Sequence, residues 1–324
     1  MTRVLVTGSN GFIGSWLVPA LAERGWDVVG VDRQGDPPNA LSQFVRGDLN
    51  HPGIADQATR QVDLVVHLAA AKSDWGQSET EYHADNVEAT EKLIAAGRTS
   101  GVRSWVFFSS VAAMGSGQVP RNEDSELHPL IPYGRSKAEA ESRFRSLAEL
   151  EPETRVLIIR PSVVYGAGNP SNTNVWRLMD AIYRDRFLMI GSGDVIKTTS
   201  YVENLVAATL FLMDRSRTGC HPYIYVDEPK LRTRELVSRI YELFGKPRPR
   251  WSLPLWIASP LARVFDAAAA ISGRDLPITS ARIRKFCRPT DFDGGRILRE
   301  GFRQPRSNED ALAATAAWYQ KQIG

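Results

Sequence analysis

The sequence predicts an α/β protein: a doubly wound parallel sheet followed by a smaller C-terminal lobe. Three observations carry that reading. Apolar runs of strand length alternate with amphipathic stretches from Arg3 to about Arg160. A glycine-rich turn, Gly8-Ser9-Asn10-Gly11-Phe12-Ile13-Gly14, joins the first run to the first amphipathic stretch. Beyond Pro161 the alternation loosens, and loops rich in Gly, Asn and Ser separate the helices. At 324 residues and 43% hydrophobic, the chain can bury a full core, with the boundary placed between residues 165 and 166. Some segments of the 166–324 lobe are expected to return to the first unit.

The elements follow in order. Arg3–Thr7 is a strand, and Ser15–Arg24 the helix behind the turn. Asp27–Val31 is a second strand ending at Asp32. Phe44–Leu49 reads as a third with a polar end, and Asp63–Ala71 as a buried fourth that closes in small residues. Glu79–Thr99 reads as one long helix and Arg103–Ser109 as the next strand. Tyr133–Leu150 is a charged amphipathic helix, and Arg155–Arg160 a strand closed by Pro161. Val202–Met213 and Arg232–Phe244 are helices between loops at Gly166–Asn174 and Gly191–Ser200.

Bulk properties exclude several classes. At a net charge of +3, charge alone decides nothing, and no nucleic-acid partner is expected. Cys220 and Cys287 are distant in sequence, and the five histidines show no H-x-x-x-H spacing. No disulfide framework and no metal are expected, and the setting reads as cytoplasmic. No signal peptide precedes the strand at Arg3, and no apolar run reaches about 18 residues.

The strand–turn–helix context makes the glycine turn a dinucleotide site of Rossmann type. Gly8, Gly11 and Gly14 permit the turn, the approach of backbone to pyrophosphate and the packing of helix on strand. Phe12 and Ile13 bring oriented N–H groups to the phosphates. Asp32 accepts from ribose hydroxyls and repels a 2′-phosphate, which favours NAD. Arg33 keeps NADP open, because an arginine there can also meet that phosphate. Asp48 would accept from the adenine amino group, with Leu49 against the ring. Leu68, Ala69 and Ala70 let a cofactor lie against backbone. His67 reads as a packed strand residue.

Tyr133 and Lys137 stand four residues apart on a helix, hence on one face. The lysine charge can lower the tyrosine below its ordinary value near 10. A phenolate formed that way takes a proton from a sugar or alcohol hydroxyl. A serine at a strand end, in Ser109-Ser110, can hold the same hydroxyl. Beside a nicotinamide this set moves hydride between a carbinol carbon and the cofactor.

These residues together resemble the extended short-chain dehydrogenase/reductase family, the NAD-dependent epimerases and dehydratases. The family's T-G-x-x-G-x-x-G matches Thr7 to Gly14. Its N-V-x-G-T resembles Asn86-Val87-Glu88-Ala89-Thr90, with alanine for glycine. Its S-S-x-x-V-Y-G is similar to Ser109 through Gly115, which makes Ser110 the substrate-facing serine. Its R-P-x-N-V-Y-G resembles Arg160 through Gly166, with Val163 for the usual asparagine. Segments at Gly191-Ser192-Gly193, Ser200 to Leu205, Tyr225 to Pro229 and Arg282 to Cys287 resemble a bacterial subgroup. That subgroup includes 4-epimerases acting on N-acetylglucosamine linked to UDP or to undecaprenyl diphosphate, in O-antigen and other polysaccharide synthesis.

The resemblance implies Ser110, Tyr133 and Lys137 as catalytic residues. It implies cofactor contacts at Asn86, Ser109, Tyr133, Lys137, Pro161, Val163 and Val164. Lys72, Ser110, Asn174, Lys197 and Tyr201 are the expected substrate contacts, the last two with the loop from Gly168 gripping a diphosphate. A homodimer through the Glu79 and Tyr133 helices is also implied. Two other readings stay open: an NADPH-dependent 4-ketoreductase and a non-catalytic dinucleotide sensor. A dehydratase wants carboxylates after the serine, where Val111 and Ala112 stand. Finally, Leu253 to Ile271 is strongly apolar and flanked by Arg248, Arg250 and Arg274, a pattern that fits a core helix of the smaller lobe or a dimer contact and would also suit a peripheral membrane contact.

Overall fold

The computed structural model describes residues 1–323 except 73–76, 116–119, 172, 249–250 and 273–279. Arg250 and Arg274 therefore lie outside the described residues, as does Asn172 of the expected substrate loop. The first half reads β1 (Arg3–Thr7), α1 (Gly14–Glu23), β2 (Asp27–Asp32), β3 (Gln43–Arg46), α2 (Ile54–Ala58) and β4 (Leu64–His67). It continues with α3 (Glu79–His83), α4 (Ala89–Thr99), β5 (Ser104–Phe108), α5 (Pro132–Leu150), β6 (Arg155–Pro161) and β7 (Val163–Tyr165). The second half holds α6 (Asn174–Tyr183), β8 (Met189–Ile190), β9 (Ile196–Lys197), β10 (Thr199–Tyr201), α7 (Val202–Met213) and β11 (Gly219–Tyr225). It ends with β12 (Leu231–Arg232), α8 (Thr233–Leu243), β13 (Ser252–Leu253), α9 (Leu255–Ser272), α10 (Ser280–Cys287), α11 (Gly295–Arg299) and α12 (Asn308–Ile323).

Seven strands form one parallel sheet in the order β11-β6-β5-β4-β1-β2-β3. The order reverses direction at β1 and β4, and a crevice opens beyond their carboxyl ends, where this architecture takes ligands. The strands are near-continuous apolar runs because helices cover both faces. One face packs Leu17, Val18 and Leu21 of α1 with Val202 and Leu205 of α7. The other packs Leu93 of α4 with Phe144 and Leu147 of α5.

The C-terminal residues build their own apolar cluster from Tyr165, Met179, Tyr201, Ile240 and Tyr319. Parallel pairing of β10 with β7, in a two-stranded sheet of their own, sets Tyr201 opposite Tyr165 within this cluster.

Two departures from the sequence reading bear on the site. The helix read over Glu79–Thr99 is continuous but contains a π-turn at Ala84–Glu88. Such a bulge rotates the side chains within it relative to the flanking α-turns. The third strand is shorter than expected, because the chain leaves the sheet at Gly47 and presents Asp48 and Leu49 to the crevice.

Helix α5 is pinned from below. Arg160 of β6 donates from Nε (2.8 Å) and Nη2 (2.6 Å) to the two carboxylate oxygens of Glu141. Both residues are fully buried, which suits a bidentate, charge-assisted pair. Glu141 lies one helical turn beyond Lys137, so the pair fixes the rotation of the face that carries it.

Candidate active site

The cleft at the sheet's switch point has a volume of about 480 Å³. Gly8, Gly11, Asp32, Arg33, Asp48, Leu49, Leu68, Ala69 and Ala70 line it. Gly8 adopts φ +68°, and a Cβ there would stand 2.8 Å from the Ala69 nitrogen. Only glycine permits that conformation together with that approach of two backbones. The amides of Phe12 and Ile13 have no backbone acceptor among the described residues. They are the orphan donors of a helix start and open towards an anion. Asp32 is oriented by the amides of Asn10 (3.0 Å to Oδ2) and Gln34 (3.1 Å to Oδ1).

Beneath the cleft, proton inventory assigns the state of His67. The Thr90 hydroxyl donates to the Asn86 carbonyl (2.6 Å), so at 3.0 Å it accepts from His67 Nε2. The Thr7 hydroxyl accepts from the Ala69 amide (3.1 Å) and gives its proton to His67 Nδ1 at 2.7 Å. Burial, and then the nearby Lys137 charge, push the imidazole down to about 3. His67 is thus a neutral, packed residue, as read from the strand pattern.

Asn86 requires a correction. Its side-chain oxygen accepts from the Ala71 amide (2.7 Å), and its nitrogen donates to the Ala71 carbonyl (3.2 Å) and to Ser136 Oγ (2.9 Å). Ser136 in turn donates to the Tyr133 carbonyl at 2.9 Å. The buried amide is taken up by these protein partners. It ties the end of β4 to the first turn of α5, so Asn86 and Ser136 are positioning residues. The rotation at the π-turn aims Asn86 inward, which heptad-style reading of one unbroken helix does not reveal.

Helix α5 begins at Pro132, whose fixed φ suits a first helical position. Two residues on, a Cβ at Gly134 would lie 2.3 Å from the Ala112 carbonyl oxygen. Glycine there lets the helix rest on the short turn Val111–Ala113, which Ser110 caps by accepting from the Ala112 amide at 3.1 Å. The serine turn and the first turn of α5 are thereby held in contact. The Tyr133 ring lies 6.0 Å from the Tyr82 ring, centroid to centroid.

Lys137 is buried, donates to the Phe108 carbonyl at 2.8 Å and stands 4.8 Å from the centre of the Phe107 ring. Burial pulls its ammonium down to about 7; Glu141 opposes that fall and Lys72 adds to it. That coupling places Lys72, an exposed residue beyond β4, near the same centre. Ser109 ends β5 beside it, and its hydroxyl oxygen is buried with no hydrogen-bond partner among the described residues.

The remaining expectations are placed elsewhere or differently. Tyr201 is corrected: its side chain is buried in the C-terminal core against Tyr165, ring centroids 5.5 Å apart, and does not line a binding surface. Register explains this, since β10 runs beside β7 and sets ring on ring. Val164 is likewise packed within the core, and Pro161 is a ladder residue opposite Tyr225. Val163 packs partly buried on the C-terminal cluster. Asn174 opens α6 on the surface. Lys197 donates to the Arg288 carbonyl on the β9–β12 pair. Sequence reasoning did not single out Asp85, which also lines the cleft.

Fold and cleft define a dinucleotide-binding α/β protein, with the Ser110 turn resting against the helix that carries Tyr133 and Lys137. The chain belongs to the NAD dependent epimerase/dehydratase family, whose model matches residues 4–226. It is 32% identical, over 97% of its length and 94% of the relative's, to the N-acetyl-alpha-D-glucosaminyl-diphospho-ditrans,octacis-undecaprenol 4-epimerase of Escherichia coli O157:H7. It is 30% identical to the 2-alkyl-3-oxoalkanoate reductase of Stenotrophomonas maltophilia, over 76% of this chain and 77% of that one. Among solved structures it resembles MoeE5 in complex with UDP-glucose and NAD, with a TM-score of 0.79 and 27% identity over 99% of this chain and 100% of that one.

NAD is accordingly the cofactor, and the residues present fit it. The orphan Phe12 and Ile13 amides suit a pyrophosphate, and the carboxylate of Asp32 suits ribose hydroxyls.

Proposed function

We propose that the protein is a sugar 4-epimerase, interconverting gluco and galacto forms of a diphosphate-linked N-acetylhexosamine through a 4-keto sugar. The observation that carries this is the contact geometry of the Ser110 turn and the first turn of α5, with buried Lys137 one turn further on. NAD held in this cleft would supply the acceptor and donor of the carbon 4 hydride. Tyr133, as phenolate, takes the proton of the 4-hydroxyl and gives it back. Ser110, whose oxygen already accepts an N–H, gives its own proton to the sugar oxygen. Lys137 supplies the charge that favours the phenolate, and binding a partner anion raises the lysine again towards the charged form. Lys72 lies where it can meet the substrate diphosphate.

UDP and undecaprenyl diphosphate are the two carriers to separate. We favour the lipid carrier, because Trp251, Leu255, Trp256 and Phe265 are 84%, 44%, 76% and 39% exposed beside Arg248. Exposed tryptophans next to basic residues suit the interface of an anionic membrane. Among the described residues no helix is long and apolar enough to cross one. We place the protein in the cytoplasm, at the inner membrane face, in polysaccharide assembly. A homodimer through α3 and α5 belongs to the same reading, and light scattering that gives the mass of one chain removes it.

The test incubates the enzyme, without added cofactor, with UDP-GlcNAc and separately with GlcNAc-diphospho-prenol, and looks for the galacto product. Tyr133→Phe is expected to abolish turnover while NAD stays bound. Turnover by that variant rejects the assignment of roles, and consumption of NADPH by the wild type turns the protein into a reductase.

A further inference from the structure

The adenosine end of the cleft contains a charge arrangement that the reaction does not use. Arg33 follows Asp32 at the tip of β2. Its Nη1 donates to Asp48 Oδ2 at 3.3 Å and to Asp85 Oδ1 at 3.2 Å. Asp48 comes from the loop after β3, and Asp85 from the π-turn ahead of α4. The guanidinium therefore spans the cleft from one wall to the other. Its side chain is 50% exposed, whereas the two carboxylates are 23% and 21% exposed, so the cation is the more solvent-accessible member of the group.

The charged residues lining the cleft are Asp32, Arg33, Asp48 and Asp85, three acids and one base. Taken at their formal charges, the site carries a net of two negative charges. NADP differs from NAD by a phosphate on the adenosine ribose, carrying about −1.5 to −2 at pH 7. Arginine is the residue that ordinarily recognises such a phosphate. Here one guanidinium nitrogen, Nη1, is already engaged by both carboxylates, so the cation is partly neutralised where a phosphate would meet it.

We propose that Asp85 is a cofactor-selecting residue. With Asp48, it holds Arg33 at the adenosine pocket and keeps engaged the one cation among the described lining residues that a 2′-phosphate could meet. Asp32 then repels the phosphate directly, and Asp85 repels it by depriving it of a partner. The inference rests on NAD as cofactor and is independent of which sugar or carrier the enzyme uses.

Purified holoenzyme is equilibrated with equal concentrations of NAD and NADP in large excess, desalted, denatured, and the released nucleotides quantified by mass. The readout is the retained NADP:NAD ratio and needs no turnover. Asp85→Asn is expected to raise that ratio about tenfold, the effect of one partly screened charge at short range. Asp48→Asn is expected to raise it in the same direction. Adding Arg33→Gln to Asp85→Asn is expected to return the ratio to the wild-type value, because the freed cation is what recruits the phosphate. An unchanged ratio in Asp85→Asn overturns the proposal, whether both nucleotides are retained or both are lost. A raised ratio that survives Arg33→Gln overturns the role given to the arginine and leaves simple repulsion by Asp85 in its place.

Discussion

Replacing Lys137 by methionine separates the cost of the lysine from its use. The side chain is buried to 2% exposure, and its ammonium falls from 10.5 to about 7 with burial as the largest cause. Below about pH 7 the lysine is charged in both folded and unfolded chains, and the folded state carries the whole penalty. Between about pH 7 and 10.5 the unfolded chain still binds the proton while the folded one does not. Stability of the nucleotide-free protein must therefore rise with pH through that window. At 1.36 kcal/mol per pH decade the full penalty is roughly 4–5 kcal/mol, of which about 3 kcal/mol is relieved between about pH 7 and 9.5. The assay is urea unfolding of wild type and Lys137→Met at both ends of that range. The difference between the two proteins should shrink by about 3 kcal/mol at the alkaline end, with methionine the more stable at neutrality. Parallel pH profiles would show that the lysine keeps its charge when folded, and the reasoning would be wrong. Turnover should be lost in the variant at every pH, since the stabilised fold lacks the cation.

Two further perturbations test the framework around that centre. Gly134→Ala puts a methyl group 2.3 Å from the Ala112 oxygen and must separate α5 from the Ser110 turn. A displacement near 1 Å is expected to lower kcat by about a hundredfold while the retained NAD stays at the wild-type level. Loss of nucleotide along with activity would mean that the glycine serves the fold at large. Trp251→Ser combined with Trp256→Ser is expected to release the protein from vesicles containing anionic lipid in a flotation assay, with turnover of a water-soluble substrate preserved. Equal flotation of variant and wild type removes the membrane reading.

What the sequence made legible was whatever is encoded over a few residues. The glycine turn, the Tyr133–Lys137 spacing and the small residues after β4 each declare themselves locally, and the first and last of these line the cleft. Asn86, Tyr201 and Asp85 depend on partners far along the chain. Asn86 is aimed by a π-turn that periodicity does not report, and its acceptor Ser136 lies 50 residues away. Tyr201 sits between glycine-rich loops and reads as accessible, but the β7–β10 register buries it.

Arg33 and Asp85 are 52 residues apart, and nothing in either neighbourhood announces the pair. The arginine was read as a reason to keep NADP open, and by type alone it is one. Its partners weaken that meaning. A guanidinium whose Nη1 is shared by two carboxylates attracts a phosphate less than an unpaired one would, so the residue that favours NADP by identity favours it less by position. The selectivity of this cleft is therefore a property of the crossing from Asp48 to Asp85, and it can be changed at the walls without touching Asp32.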